Sequence, residues 1–363
     1  PFKYAQVITG ENFCGRKNLI NSLKKSAKSG ENLLIIGERR IGKSSLIHES
    51  YVESKIKLIY IDLFGAKTAS DILEKMLVAV SKASESDSVA LKLLKSFSHL
   101  RLNVGVDPLT YLPTVGVDAK IKHKADTLQT MITWICNNWK KCTIAFDEFQ
   151  DVLKTEDSSN ILAALRSEIQ MHGDNAFIFC GSIRSDMDEI FSDSNSPFFK
   201  MAKPLDVGPI EEMEMNYFIK RKFKEGKRII DIDQIGWIYE ICDNISGDIQ
   251  QVCSQAWDNT KSGDNIDEEV LRESLLEVIN HEKASFEHII NSLTPSYMGF
   301  LKALAKLGGT SPYSGEFMQE VGVNGPNIIT RSINKLVKMR VIFRSGTSLR
   351  FVNPFFKHYL RHF

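Results

Sequence analysis

Cysteine is scarce and scattered: Cys14, Cys136, Cys142, Cys180, Cys242 and Cys253 are the six present, and none forms a C-x-x-C pair. That spacing excludes a zinc ribbon and argues against a disulfide framework, so buried thiols in a reducing compartment are expected. Histidine is sparse too, and His48, His123 and His172 lack the spacing of a ligand set, which argues against a histidine-built metal centre. No apolar run approaches the roughly 20 residues that span a bilayer, and no leader pattern opens the sequence. A cytoplasmic location without a membrane partner is therefore expected. A surplus of one charge is also missing, since 46 Lys and Arg face 45 Asp and Glu for a net +1.

What is present is a folded, two- or three-domain composition: 363 residues, 43% hydrophobic and 25% charged, too long for one ordinary core. The small net charge hides an asymmetry. Residues 286–363 carry ten Lys and Arg against three Glu, a net of +7, which leaves about −6 on the preceding chain. A basic tail on an acidic body points to an anionic partner.

Two stretches carry chemistry. Gly37-Glu38-Arg39-Arg40-Ile41-Gly42-Lys43-Ser44 fits the pattern G-x-x-x-x-G-K-[ST] at every fixed position. It follows the apolar run Leu33–Ile36, which reads as a strand, and precedes Ser45-Leu46-Ile47, which reads as the start of a helix; the motif needs this context. Glycines let successive N–H groups turn inward onto phosphate oxygens, and the helix adds its positive end. Lys43 is expected on the β- and γ-phosphates of ATP and Ser44 on Mg²⁺, with Glu38, Arg39, Arg40, Ile41 and Ser45 completing the loop's share of the nucleotide site. The second stretch, Thr143-Ile144-Ala145-Phe146-Asp147-Glu148, is a strand ending in two carboxylates. Asp147 is expected to hold the Mg²⁺ and Glu148 to orient or deprotonate an attacking water.

Strands at 32–36, 57–62, 142–147, 176–180 and 204–207 alternate with helices, as in a parallel α/β sheet. Such sheets bind ligands at the carboxyl ends of their strands, where Gly37, Asp147 and Gly181 fall. Between about 101 and 120 two period-two runs flank an Asp-Pro-Leu-Thr-Tyr-Leu-Pro break, which reads as an inserted β-hairpin. Helical spacing then covers about 210–225, 232–244, 247–261 and 267–290. From about 293 three helices and a hairpin follow, the plan of a winged helix. The boundaries expected are 1–207 for the core, 208–290 for a helical lid and 291–363 for the winged helix.

With these residues placed, the chain resembles the archaeal-type ATPases, a STAND-branch relative of the AAA+ superfamily, along nearly its whole length. Asn12-Phe13-Cys14-Gly15-Arg16 resembles the family's N-terminal box, Phe146-Asp147-Glu148-Phe149-Gln150 its Walker B motif, and Phe179-Cys180-Gly181-Ser182 its sensor-1 strand. The resemblance implies an AAA+-like P-loop core with a helical lid and a winged helix, Phe13 and Arg16 near the adenine, and Ser182 facing the γ-phosphate beside catalytic Lys43 and Glu148. It also departs from the pattern: Ile249 stands where a proline is usual and Gln250 in the register of a sensor-2 arginine. For an arginine finger the candidates are Arg184, Arg166, Lys200 and Lys203.

On the third tail helix Ile329, Ile333, Leu336 and Val337 form a buried face and leave Asn327, Thr330, Arg331, Asn334, Lys335 and Lys338 outside. With Arg344 and Arg350 on the hairpin, these are residue types that meet DNA phosphates and base edges. Winged helices equally serve as protein-interaction or lid modules, so DNA, a protein partner and self-association stay open. The expected activity is that of an ATP-binding, slowly hydrolysing switch that moves its winged helix. The alternatives are an ATP-gated scaffold with little turnover and a DNA-binding regulator tuned by nucleotide.

Overall fold

The computed structural model describes residues 1–84 and 125–362, and the backbone of 102–106 and 113–117. It divides into two compact units, Val7–Gly208 and a second made of Pro1–Gln6 with Pro209–Phe363.

In the first unit the chain runs α1 (Lys17–Ser29), β1 (Leu33–Ile36), α2 (Lys43–Tyr51), β2 (Lys57–Asp62) and α3 (Ala69–Ala83). After the hairpin strands β3 (Leu102–Val106) and β4 (Pro113–Val117) come α4 (Ala125–Asn138) and β5 (Cys142–Asp147), then α5 (Ser158–Met171), β6 (Ala176–Gly181), α6 (Arg184–Phe191) and β7 (Lys203–Asp206). Five strands form one sheet in the order β2-β5-β6-β1-β7, and every neighbouring pair is parallel. β1, β5 and β6 are buried at every residue, as continuous apolar runs covered on both faces must be. Phe146, Phe149, Phe179, Phe191 and Phe198 pack as one aromatic cluster, with ring centroids 4.8–6.0 Å apart. Phe146 and Phe149 of this cluster flank Asp147 and Glu148 in the chain, so the end of β5 is anchored by packing. Thr68 caps α3 with its side chain, in a reciprocal pair with Asp71.

The inserted hairpin pairs Leu102 with Val117 and Val106 with Pro113 in antiparallel register. Its second strand thus begins at Pro113, inside the segment read as a break; proline is tolerated at the first residue of a strand. Residues 101, 107–112 and 118–120 of the expected insertion lie outside the described residues, as does His123.

The second unit holds α7 (Glu212–Glu225), α8 (Ile232–Ile241), α9 (Ser246–Asp258) and α10 (Glu268–Asn291). Two short strands, β8 (Ile229–Ile230) and β9 (Asn265–Ile266), pair in parallel. Phe2 joins this unit, its ring 4.8 Å from Phe223 and 6.4 Å from Trp257, and Arg228 lies 3.8 Å over the Trp257 ring. The tail follows with α11 (Pro295–Leu307), α12 (Gly315–Val321), α13 (Pro326–Lys338) and the hairpin of β10 (Ile342–Ser345) and β11 (Ser348–Phe351). A further helix, α14 (Pro354–His362), was not foreseen from the sequence; Pro354 opens it, where a missing N–H costs nothing. On α13 the buried face is Ile329, Ser332, Ile333 and Leu336, with Val337 only half-buried. Among the described residues, no helix is long and apolar enough to cross a membrane.

Within this unit α14 is bound to the end of α8. Lys357 pairs with Asp243 at 2.9 Å, and the buried His358 ring meets the Ile241 carbonyl at 3.0 Å. Burial, helped by the neighbouring Lys357 charge, pushes the His358 imidazole down to about 4 from its ordinary 6.5. Neutral imidazole is favoured in the fold, so the unfolded chain takes up the proton first as pH falls. This contribution is whole above about pH 6.5, declines as pH falls towards about 4, and is level below that. A loss of roughly 3 kcal/mol follows from a shift of this size. Urea unfolding at pH 7 and pH 4.5 should show it, and His358→Gln should flatten the difference; an equal pH dependence in the variant would assign the loss to other groups.

Candidate active site

The loop between β1 and α2 is shaped by two left-handed residues, Arg40 (φ 62°) and Gly42 (φ 94°). Gly37 has no room for a side chain, since a Cβ there would lie 2.5 Å from the Val207 carbonyl oxygen. Ile41, almost wholly buried, folds over Gly37. The curl brings the Lys43 ammonium back onto the loop, where it donates to the carbonyls of Gly37 (2.9 Å) and Glu38 (3.0 Å). Arg39 is exposed and Arg40 half-buried. Ser45 Oγ accepts the Ile8 N–H at 3.0 Å.

The β5 tip meets this loop. Ser44 Oγ donates to Asp147 Oδ2 at 2.6 Å, across 103 residues of sequence. Asp147 Oδ1 accepts the Glu148 N–H at 2.9 Å. Glu148 then leaves the strand in a left-handed conformation (φ 50°) that opens a short 3₁₀ helix over Phe149–Lys154. The Glu148 carboxylate accepts from Ser182 Oγ at 2.9 Å and from Gln150 Nε2. Gln150 is buried under the end of β6, where a Cβ on Gly181 would lie 2.6 Å from its Oε1. Lys43, Ser44, Asp147, Glu148 and Ser182 thus come together at the carboxyl ends of β1, β5 and β6.

Three neighbours to which the sequence assigns no role join this cluster. Gln150 holds Glu148 as just described. Tyr60, on edge strand β2, donates its phenol to Asp147 Oδ2, and its ring centroid lies 4.5 Å from that of His48. Burial and the Asp147 carboxylate push the Tyr60 phenol up, so it remains a donor. Burial pushes the Cys180 thiol up in the same way, next to Asp147 and Lys43.

Arg16 is buried, and one guanidinium nitrogen donates to the carbonyls of Ile41 (2.6 Å) and Gly208 (2.9 Å); it braces the loop's backbone. Asp62 is exposed and accepts the Phe64 N–H at 2.9 Å. Of the arginine-finger candidates, Arg184 pairs with Asp206 and Lys203 lies 3.8 Å from Glu31, both at the surface; Arg166 and Lys200 are exposed. In the tail Arg331, Lys335, Lys338 and Arg344 are exposed, whereas Arg350 is half-buried and donates to the Asp243 carbonyl at 2.5 Å. Arg350 is thus engaged within its own unit, its guanidinium also 3.9 Å from the Asp243 carboxylate.

The oxygen pair of Ser44 and Asp147, with Asp147 buried, suits a hard divalent cation. Among the described residues, no group of three or more His, Cys, Asp or Glu side chains is placed to hold a metal by itself. The remaining ligands of a Mg²⁺ ion here would be water and phosphate oxygens, as this ion prefers.

Residues 13–252 match a family described as an ATPase domain predominantly from Archaea. The chain belongs to this archaeal ATPase family. Residues 284–362 of this family member match a second family, described as a probable winged helix domain. Among solved structures, the Walker-type ATPase PABY2304 of Pyrococcus abyssi is similar in fold, with a TM-score of 0.71 at 18% identity over 99% of both chains. The Aeropyrum pernix ORC2 protein, solved in ADPNP–ADP complexes, has a TM-score of 0.53 at 14% identity, over 97% of this chain and 94% of that one. Comparison with curated proteins finds no match.

Proposed function

We propose that this ATPase-family chain binds ATP with Mg²⁺, hydrolyses it slowly, and couples nucleotide state to movement of its winged helix. The observation that carries this reading is the convergence of Lys43, Ser44, Asp147, Glu148 and Ser182 at one end of the sheet. Lys43 would leave its loop carbonyls for the β- and γ-phosphates, and the α2 N-terminus would face them with its N–H groups. Gly37 to Ser45 would line the triphosphate, with Phe13 toward the base. Ser44 and Asp147 would hold a Mg²⁺ ion, which when bound neutralises phosphate charge. Glu148, fixed by Ser182 and Gln150, would take the proton of the attacking water.

For coupling, the supporting observation is Arg16, whose single nitrogen joins the loop carbonyl of Ile41 to that of Gly208, the last residue of the first unit. A nucleotide that shifts the loop pulls on this connection. The working divisions are a core over 1–207, a lid over 208–290 and a winged helix over 291–363. Phosphate release under multiple turnover tests the reading: its absence, with binding intact, favours the ATP-gated scaffold. A cytoplasmic setting fits the six free thiols.

A second reading, DNA binding by the tail, is favoured by one observation. The outer face of α13 exposes Asn327, Thr330, Arg331, Asn334, Lys335 and Lys338 without an acidic residue. With Arg344 this gives four cations for phosphate, so affinity of the full chain for duplex DNA should fall with salt at a log–log slope of roughly −3 to −4. Replacing Arg331 and Lys335 by Ala should flatten that slope by about two and leave ATP binding intact. Anisotropy across a salt series measures both. A chain that ignores DNA at low salt would turn this face to a protein partner or a second copy.

A further inference from the structure

Tyr60 belongs to no motif, yet it touches the carboxylate on which the cation site depends. β2 is an edge strand of the sheet, and its register sets Tyr60 opposite Ala145 and Asp62 opposite Asp147. From there the phenol reaches forward to Asp147 Oδ2, the oxygen that also accepts Ser44 Oγ at 2.6 Å. The other oxygen, Oδ1, is held by the Glu148 N–H at 2.9 Å. Three donors therefore fix one carboxylate, and a carboxylate so held has little freedom to rotate. The tyrosine itself is braced. His48 lies one turn beyond Ser44 on α2, and its ring packs against that of Tyr60 at a centroid distance of 4.5 Å. Helix α2, β2 and the β5 tip close into one circuit through Ser44, Asp147, Tyr60 and His48.

We infer that Tyr60 is a positioning residue for the cation site: it holds Asp147 in the orientation that Mg²⁺ and Ser44 require, and so sets how much Mg²⁺ the nucleotide site needs. The physical reason is the strictness of Mg²⁺, which demands near-octahedral oxygen geometry and tolerates a loose ligand poorly. Holding the groups around a metal ligand is known to tune its affinity by one to two orders of magnitude. The inference rests on the nucleotide reading above, and names a residue and a property that the motifs do not supply.

The test is Tyr60→Phe in the full chain, which keeps the ring against His48 and removes only the hydroxyl. Binding of a fluorescent ATP analogue is followed in EDTA and across a Mg²⁺ titration. Affinity in EDTA should match wild type, while the Mg²⁺ concentration for half-effect should rise about tenfold, as losing a hydrogen bond to a charged group implies. In an Asp147→Ala background the same substitution should add nothing, because the carboxylate it acts through is gone. An unshifted Mg²⁺ titration overturns the inference, as does a loss of affinity in EDTA or a full tenfold effect without Asp147. If wild-type binding itself ignores Mg²⁺, the nucleotide reading fails and this inference with it; a Mg²⁺-dependent wild type with an unshifted variant overturns the inference alone.

Discussion

Lys43→Ala is expected to abolish ATP binding, lowering affinity by at least about 100-fold, or ~3 kcal/mol. Lys43 is a buried residue, and its ammonium donates to the Gly37 and Glu38 carbonyls at 2.9 and 3.0 Å. A triphosphate entering the loop would exchange those neutral acceptors for charged ones, and charge-assisted bonds are roughly twice as strong. Arg39 is exposed at the loop's rim, and Arg16 is committed to the Ile41 and Gly208 carbonyls. Isothermal titration with Mg-ATP measures the change, with a thermal melt to show that α2 still folds. Wild-type affinity in the variant would remove the P-loop reading altogether, and with it the roles given to Ser44 and Asp147.

The parts of this site legible in the sequence are those written in consecutive residues. Strand, loop and helix around Lys43 follow one another, so the run Leu33–Ile36, the glycines and the following helix could be read together. The same holds for β5, whose six buried residues end directly in Asp147 and Glu148. What stayed hidden depends on register between distant segments. Tyr60 is a half-buried residue in an alternating strand, and nothing local says that β2 lies beside β5; that neighbour relation makes it a partner of Asp147. Arg350 stands on the hairpin beside Arg344 in the sequence, and nothing local shows that the Asp243 carbonyl, 107 residues earlier, accepts from it. Helix α14 was missed for a different reason: Phe355, Phe356, Tyr359 and Leu360 have helical spacing, but the segment is short and follows an Asn-Pro turn signal. The pair β8 and β9, two residues each, is too brief to show any period.

Glu148→Gln should separate binding from chemistry. The variant is expected to bind ATP as wild type does and to hydrolyse it at least about tenfold more slowly, as removal of a general base implies. The reasoning starts from the hydrogen bonds. The Glu148 carboxylate accepts from both Ser182 Oγ and Gln150 Nε2, so it is presented as a base already oriented by two donors. An amide oxygen at the same position can still accept from one of them, and the side chain keeps its length, so the strand tip and the Asp147–Ser44 pair stay in place. The lost element is the negative charge that would draw a proton from water. Single-turnover phosphate release with the protein in excess over Mg-ATP reads the step directly, and equilibrium binding of the same variant reads the control. Unchanged turnover would make Glu148 a bystander and move the function toward the ATP-gated scaffold, in which binding alone changes the state of the tail. A slowed variant that still binds would instead hold the protein in its ATP-bound state, the form in which a partner of the winged helix can be sought.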